Sequence, residues 1–343
     1  MNPNDPAIRP APFLSVVVPC FNEEQVLSAT HPRLVAALAG TCPFEVIYVD
    51  DGSRDGTWEM LADLQQTDDR VRALRLSRNF GHQIAATAGL DAATGDAVVL
   101  IDADLQDPPE VIPAMVQRWR EGYDVAYGRR LARDGESVFK LGTASAFYRV
   151  FNAVASIEAP LDTGDFRLLD RKVVDALGSM REGHRFLRGM VSWLGFRQIA
   201  VPYHRAARAA GHTHYPLRRM LRLATDGILS FSTLPLRLAT FAGALACLAG
   251  MGGLLASAAM RIAGGAWPSA TAAVLIAIAM MGGLQLLCLG IAGEYLGRIY
   301  VESCRRPLYA LAERRGLAAD LAGRTPRSGR SDASPQPHLY RAG

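Results

Sequence analysis

Short β-branched runs recur through the first part of the chain, at FLSVVVPC, FEVIYVDD, VRALRL, AVVLIDAD and YDVAYG. Runs of this length bounded by turn residues read as strands. The stretches between them open near Glu23, Thr57, Gly81 and Pro108 and have helical length and composition. Strand and helix in alternation predict an α/β layer with a mostly parallel sheet, and such sheets place ligands beyond the carboxyl ends of their strands. The unusual polar clusters all fall there: PCFNEE after the first strand, DDGSRDGT after the second, SRNFGHQ after the third, DADLQDPP after the fourth and GRR after the fifth. One such cluster would be turn chemistry; five in register argue for a site.

The pattern changes beyond residue 237. Formal charge is absent from Leu238 to Met260 and from Ala270 to Ala292, and each run exceeds the roughly 20 apolar residues needed to cross a bilayer. Small-residue patches, GMGG and MMGG, would let two such helices approach closely. The link RIAGGAWPS carries Arg261 alone, whereas Arg218, Arg219, Arg222 and Arg237 precede the first run and Arg298, Arg305 and Arg306 follow the second. The positive-inside rule therefore predicts a two-helix transmembrane hairpin with both flanks cytoplasmic. Upstream, arginines interleave with Met220, Leu221, Leu223, Ile228 and Phe231, the pattern of an amphipathic helix lying at the headgroups or of an ordinary surface helix. The expected order is an N-terminal tail (1–12), a catalytic domain (13–210), a juxtamembrane segment (211–237), the hairpin (238–260 and 270–292), a cytoplasmic C-terminal helix (293–323) and a disordered tail (324–343).

Composition changes this picture little. Half of the 343 residues are hydrophobic, enough for a sizeable core, and a net charge of +4 singles out no partner class, nucleic acid included. The five cysteines are far apart and form no CxxC pair, so neither a disulfide framework nor a zinc site is indicated. The proline-rich start MNPNDPAIRPAPF lacks the basic-then-apolar order of a secretory signal and is expected to stay in the cytoplasm.

The motifs narrow the chemistry. Neither GxGxxG nor GxxxxGK[ST] follows the first strand, where the chain reads Pro19-Cys20-Phe21-Asn22-Glu23-Glu24, so dehydrogenase and P-loop readings are weak. Two acidic pairs stand out instead, Asp50-Asp51 before a glycine turn and Asp102-x-Asp104. Carboxylates one residue apart at a strand end can converge on a hard divalent cation, which prefers oxygen ligands and bridges diphosphate oxygens. Asp50 and Asp51 also suit a turn with a helix cap, and Asp107 is expected to cap the helix that Pro108 opens.

In order, the segments VVVPCFNEE, VIYVDDGSRDGT, LSRNFGHQIAATAGLDAATGD, VLIDADLQDPPE, YGRR and DTGDFRLLDR, with a hairpin ending GEYLGRIYVESCRRPLY, resemble the family 2 glycosyltransferases that load polyprenyl phosphates. Dolichyl-phosphate mannose synthase and the bacterial bactoprenol glucosyltransferases are similar, the latter more so because they share the hairpin. The resemblance covers about residues 13 to 310 and implies a GT-A nucleotide-sugar-binding domain, Mg²⁺ or Mn²⁺, and inversion at the anomeric carbon. It further implies a multi-pass protein of the bacterial inner membrane that moves a hexose from UDP-glucose or a related UDP-sugar to undecaprenyl or another polyprenyl phosphate. GDP-mannose is the second donor, and a homo-oligomer is plausible by the same analogy.

The resemblance also implies roles. Pro19, Asn22 and Glu23 would line the nucleoside pocket, with Asp50 accepting from base or ribose and Asp51 only supporting the turn. Asp102 and Asp104 would be the DxD pair holding metal and diphosphate, with Gln106 reaching metal or sugar. Arg129 would face a phosphate, though Arg130 is equally placed for it. Asp165 stands where the family places a proposed base or acceptor-orienting carboxylate, or else caps a turn. A lipid phosphate is already anionic near neutral pH, so positioning outweighs proton abstraction. Arg205, Arg208 and His214 are candidates for the acceptor phosphate. Relatives usually read Gly-Glu-Ser-Lys-Tyr where this chain has Gly211-His212-Thr213-His214-Tyr215, which points to a pH-sensitive contact, a different sugar or a weakened site. A processive polysaccharide synthase would need QxxRW, and Gln117-Arg118-Trp119 has the wrong spacing. A DxD phosphatase would carry the motif on its first strand. A non-catalytic membrane scaffold is the remaining alternative.

Overall fold

The computed structural model describes residues 8–131, 163–183, 185–204, 234–262 and 270–316. All seven residues of LSVVVPC are buried, as expected of a strand covered on both faces. This strand, β1 (Leu14–Cys20), is followed by α1 (Glu24–Leu38), β2 (Phe44–Asp50), α2 (Thr57–Thr67), β3 (Val71–Leu76), α3 (His82–Ala92) and β4 (Ala97–Leu100). A 3-10 turn at Pro109–Val111 leads into α4 (Ile112–Arg120), β5 (Val125–Arg130), β6 (Thr163–Asp170), α5 (Arg171–Ser179), α6 (Leu187–Trp193) and β7 (Gln198–Tyr203). Two long helices, α7 (Leu234–Ile262) and α8 (Ala270–Ser303), precede β8 (Leu311–Arg315).

The strands form one sheet in the order β7-β5-β6-β4-β1-β2-β3-β8, parallel except for β6 and β8. Alternation along the strands divides the core between the two faces. Leu14, Val16 and Val18 pack with Leu27 and Leu34 of α1 and Ile112 and Met115 of α4. Val17, Ile47 and Val49 pack with Ala85 and Leu90 of α3 and Val173 of α5. After β3 the chain crosses to the other side of β1, so the β1–β4 boundary is a topological switch point, the place where open α/β sheets open a crevice for ligands.

The five expected strands and four helix starts are present, with two changes of length. β4 ends at Leu100, so Asp102 and Asp104 project from a loop rather than a strand. β5 continues through Arg130. The expected C-terminal helix over 293–323 is, among the described residues, helical to Ser303; Arg305 takes a left-handed φ of 48° and Pro307 lies two residues on, which ends a helix. The chain then returns to the sheet, where β8 covers the otherwise open edge of β3, with Glu313 3.6 Å from Arg75.

The two apolar runs are helices that pack against each other. Phe241, Leu248, Ile278, Met280 and Leu286 stand well out from the protein on them, with Phe241 69 % and Leu286 71 % exposed. Among the described residues, no helix is long and apolar enough to cross a membrane. Arg205, Arg208, His212 and His214, the juxtamembrane segment as far as residue 233, and the tail from 324 lie outside the described residues.

Candidate active site

A cavity of about 490 Å³ opens at the switch point, lined by Pro19, Glu23, Asp51, Asn79, His82 and Asp104, with Gly81, Asp102 and others between them. Its wall is made by four strand-end loops that bind one another. Asn22, at a left-handed φ of 56°, accepts from the Arg54 amide through its side chain (2.9 Å), and its own amide donates to the Ser53 hydroxyl (2.9 Å). Gly52 takes φ +70°, and a Cβ there would meet the Arg78 backbone at 2.6 Å, so only glycine lets the second loop lie against the third. Asn22 is exposed, outside the cavity wall, and clamps loops instead of lining the pocket as expected.

The Asp50-Asp51 pair divides its tasks opposite to expectation. Asp50 is fully buried, accepts from the Ser53 amide at 2.9 Å and faces Arg75 at 3.4 Å, so it is the one that holds the turn. Asp51 lines the cavity, accepting from the amides of Phe80 (2.7 Å) and Gly81 (2.9 Å). Burial pushes its carboxyl above the usual range despite those two donors. Sequence could not rank these neighbours, because strand alternation puts one of them inside and gives no sign of which.

Asp102 and Asp165 meet because of register. β6 runs antiparallel to β4 with Leu100 opposite Arg167, so Asp102, two residues after Leu100, and Asp165, two residues before Arg167, come to the same end of the sheet. His82 lies between them, its Nε2 3.4 Å from Asp102 Oδ1 and 3.4 Å from Asp165 Oδ2. Asp165 also accepts from Gln83 Nε2 (2.8 Å) and faces Arg188 Nε at 3.1 Å, while Gln83 Oε1 accepts from the Leu187 amide (3.0 Å). Arg167, buried beneath, donates to the carbonyls of Gly164 and Asp165 and fixes the strand's start.

The charges follow from these contacts. Burial alone would raise Asp165, but His82 and Arg188 hold its carboxyl well below the usual range. It is therefore held as an anion. Burial raises Asp102 to about 6, with the neighbouring carboxylates of Asp165, Asp107 and Asp104 adding to the rise and His82 opposing it. Burial would lower His82, yet its bond to Asp165 and the two acidic neighbours raise it to about 9; its side chain is 42 % exposed, so solvent moderates that rise.

Asp107 corrects another expectation. No side chain caps the turn at Pro108; Asp107 is buried and instead accepts from the Tyr203 hydroxyl and faces Arg130 at 3.5 Å. Arg130 donates to Tyr203 as well (3.2 Å), and a Cβ on Gly164 would meet its guanidinium at 2.8 Å. Arg130 is thus the inward arginine of YGRR, and Arg129 is exposed. β5 places consecutive side chains on opposite faces, which accounts for the choice.

The structure therefore brings together Pro19, Glu23, Asp102 and Asp104 on the cavity, with Asp165 adjoining through His82. Gln106 follows the Asp104 turn, its amide donating to Asp104 Oδ1 at 3.1 Å. His82, Gln83 and Arg188 were not singled out from sequence; His82 and Gln83 sit in the quoted SRNFGHQ cluster, while Arg188 carries no local signal. Among the described residues, no group of three or more His, Cys, Asp or Glu is arranged to hold a metal ion. The two-carboxylate set of Asp102 and Asp104 nonetheless fits a cation that completes its shell with diphosphate oxygens, because Asp102 Oδ1 is buried without a hydrogen-bond donor.

Comparison with known proteins agrees with this geometry. The family model described as glycosyl transferase family 2 matches residues 15–178. The chain is 45 % identical over 304 residues to an uncharacterized glycosyltransferase, YkcC, of Bacillus subtilis, covering 88 % of this chain and 94 % of that one. It is 38 % identical to a prophage bactoprenol glucosyl transferase homolog of Escherichia coli, covering 87 % and 98 %. Among solved structures, a mannosyltransferase of Pyrobaculum calidifontis in complex with GDP-Man and Mn²⁺ is 20 % identical with a TM-score of 0.43, covering 85 % of this chain and 89 % of that one. With the family model on the sheet that builds the cavity and relatives aligned over nearly their whole length, this chain belongs to glycosyl transferase family 2, as a glycosyltransferase of GT-A type.

Proposed function

We propose that this glycosyltransferase moves a hexose from a nucleotide sugar, UDP-glucose or a related UDP-sugar, to undecaprenyl or another polyprenyl phosphate, with inversion. The observation that carries the reading is the approach of Asp165 to Asp102 across the β4–β6 register, which sets an acceptor-orienting anion beside a donor-binding pair. Relatives named bactoprenol glucosyl transferase, such as that of Shigella phage SfV at 38 % identity over 97 % of its length, support the lipid acceptor.

Asp102 and Asp104 would hold Mg²⁺ or Mn²⁺ together with the donor diphosphate, and the cation would neutralise charge on the leaving nucleotide. The chain's own residues do the rest. Asp51 and Glu23 bound the nucleoside end of the cavity. Asp165, anionic and held from three sides, orients the sugar and the incoming acceptor. Arg130, pinned by Asp107 and Tyr203, offers a fixed guanidinium fork to phosphate. A phosphate nucleophile needs no deprotonation, and a single in-line displacement needs no covalent intermediate.

The proposal extends to place. The apolar side chains exposed on α7 and α8 favour a hairpin embedded in the bacterial inner membrane, as does the arginine excess on its flanks, which sets the catalytic domain and both termini on the cytoplasmic side. Arg205, Arg208 and His214 are the candidates for the acceptor phosphate. On α8, Gly282, Gly283 and Gly290 face open space, which suits close packing by another copy in a homo-oligomer. Membranes carrying the protein, incubated with a panel of nucleotide sugars, divalent metal and undecaprenyl phosphate, should form one glycolipid identified by mass; no release of nucleoside diphosphate with any donor would refute the reading.

A further inference from the structure

His82 opens α3 near the end of the SRNFGHQ cluster, and its imidazole lies within ion-pair range of both Asp102 and Asp165. Its Nε2 carries a single proton and stands 3.4 Å from an oxygen of each, so it donates to one carboxylate at a time. The two alternatives are not equal. Each carboxylate has a buried oxygen without a hydrogen bond, but Asp165 also accepts from Gln83 on Oδ2 and has Arg188 3.1 Å from Oδ1, whereas the contact recorded at Asp102 Oδ1 is His82 itself. That same oxygen is the one a donor-bound cation would claim.

We propose that His82 is a positioning residue that passes between the two halves of the site. Before the donor binds it is shared by Asp102 and Asp165; when cation and diphosphate occupy Asp102, it is given over to Asp165 and fixes that carboxylate for the acceptor. Donor binding thereby organises the acceptor side. The geometry around His82 suits such a passage. Gly81 precedes it at φ +101°, ψ 150°, with its amide held by Asp51, so the backbone beneath the ring is anchored from the nucleoside side. Nothing within 4 Å would meet a Cβ at Gly81, and the ring itself is 42 % exposed, leaving it room to turn.

The inference rests on the glycosyl-transfer reading above, and the test separates the two. His82→Ala and His82→Gln are compared with the wild-type full chain in detergent, first by titrating UDP in the presence and absence of Mn²⁺ and then by glycolipid formation. Removing a competitor for Asp102 Oδ1 leaves Mn²⁺-dependent UDP affinity unchanged or tighter. Transfer falls by about 10- to 100-fold in kcat, the range for partners that orient a functional ligand, with the donor KM moving less than about threefold. His82→Gln, whose amide can still donate to Asp165, recovers part of the loss, and added imidazole restores part of it in His82→Ala. A weaker Mn²⁺-dependent UDP affinity in the variants, or an unchanged kcat, would overturn the assignment. If the wild type itself makes no glycolipid, the transfer reading fails, and the UDP titration alone then decides the role of His82: equal or tighter binding supports the release of Asp102, weaker binding refutes it. His82→Gln keeps the test open should His82→Ala not fold.

Discussion

Two acidic pairs stand beside the same cavity and differ in local chemistry. At the end of β2, the carboxylates of Asp50 and Asp51 accept from the amides of Ser53, Phe80 and Gly81, and Arg75 stands beside Asp50. Across the cavity, Asp102 and Asp165 share one imidazole, and an oxygen of Asp102 has no donor. A buried carboxylate whose lone pairs are filled by backbone amides stabilises a fold, while one left short of donors costs stability until a ligand arrives. Both sides keep a buried oxygen without a hydrogen bond, Asp50 Oδ2 and Asp102 Oδ1; the difference is that Asp50 and Asp51 take backbone amides, with Arg75 beside Asp50, whereas the contact recorded at Asp102 is the imidazole it shares with Asp165. The shortage at Asp102 is local to a loop that leaves β4 at Leu100, where sheet amides no longer reach.

The largest effect should break the reactive side alone. Asp102→Asn and Asp104→Asn are expected to reduce transfer by about 10³-fold or more, in the range seen when an electrostatic contact to developing charge is lost. The melting temperature of Asp102→Asn should stay level or rise, since a poorly solvated charge is removed. On the structural side, Asp50→Ala strands the buried Ser53 amide and Arg75 and should cost about 1–3 kcal/mol in denaturant unfolding. Gly52→Ala joins a positive φ to a 2.6 Å clash with Arg78 and should cost a similar ~1–3 kcal/mol. A variant that lost activity at Asp102 only by unfolding would erase the distinction.

Acidity sharpens the comparison at smaller scale. Because the Asp102 carboxyl is raised to about 6, a cation must displace a proton from it below that pH. Mn²⁺ affinity, measured with UDP held saturating, should therefore be full above pH 6 and fall about tenfold per unit below it. Affinity that stayed flat from pH 7 to pH 5 would remove Asp102 from the metal shell. Smaller still is the contrast within YGRR: Arg130→Lys should lower kcat/KM by about tenfold because its fork is held by Asp107 and Tyr203. Arg129→Lys, on an exposed side chain, should change it by less than about twofold; equal losses would place both arginines in the site.

Much of this was legible in the chain. Five strands and four helix starts followed from β-branched runs alternating with helical stretches, and Asp102, Asp104 and Asp165 followed from motifs whose residue types and order survive without coordinates. What was hidden depended on register. β6 was obscured because Asp165 and Arg167 interrupt its apolar pattern, and only its antiparallel insertion brings Asp165 to the same end of the sheet as Asp102. Asp107 looked like a helix cap because a proline and a helix follow it, yet Tyr203, 96 residues away in sequence, claims it. The C-terminal strand was missed because its only apolar support is the open edge of β3, which no local pattern reveals. His82 carries a role only through two carboxylates from different strands.

The most direct measurement of the central claim pairs two isosteric variants, Asp102→Asn and Asp50→Asn, in one experiment that records thermal melting and UDP affinity with and without Mn²⁺. The account predicts that Asp102→Asn loses the Mn²⁺ dependence of UDP binding and keeps its melting temperature, while Asp50→Asn keeps the Mn²⁺ dependence and melts earlier. The reverse pattern, with Mn²⁺ dependence lost at Asp50 and intact at Asp102, would contradict it.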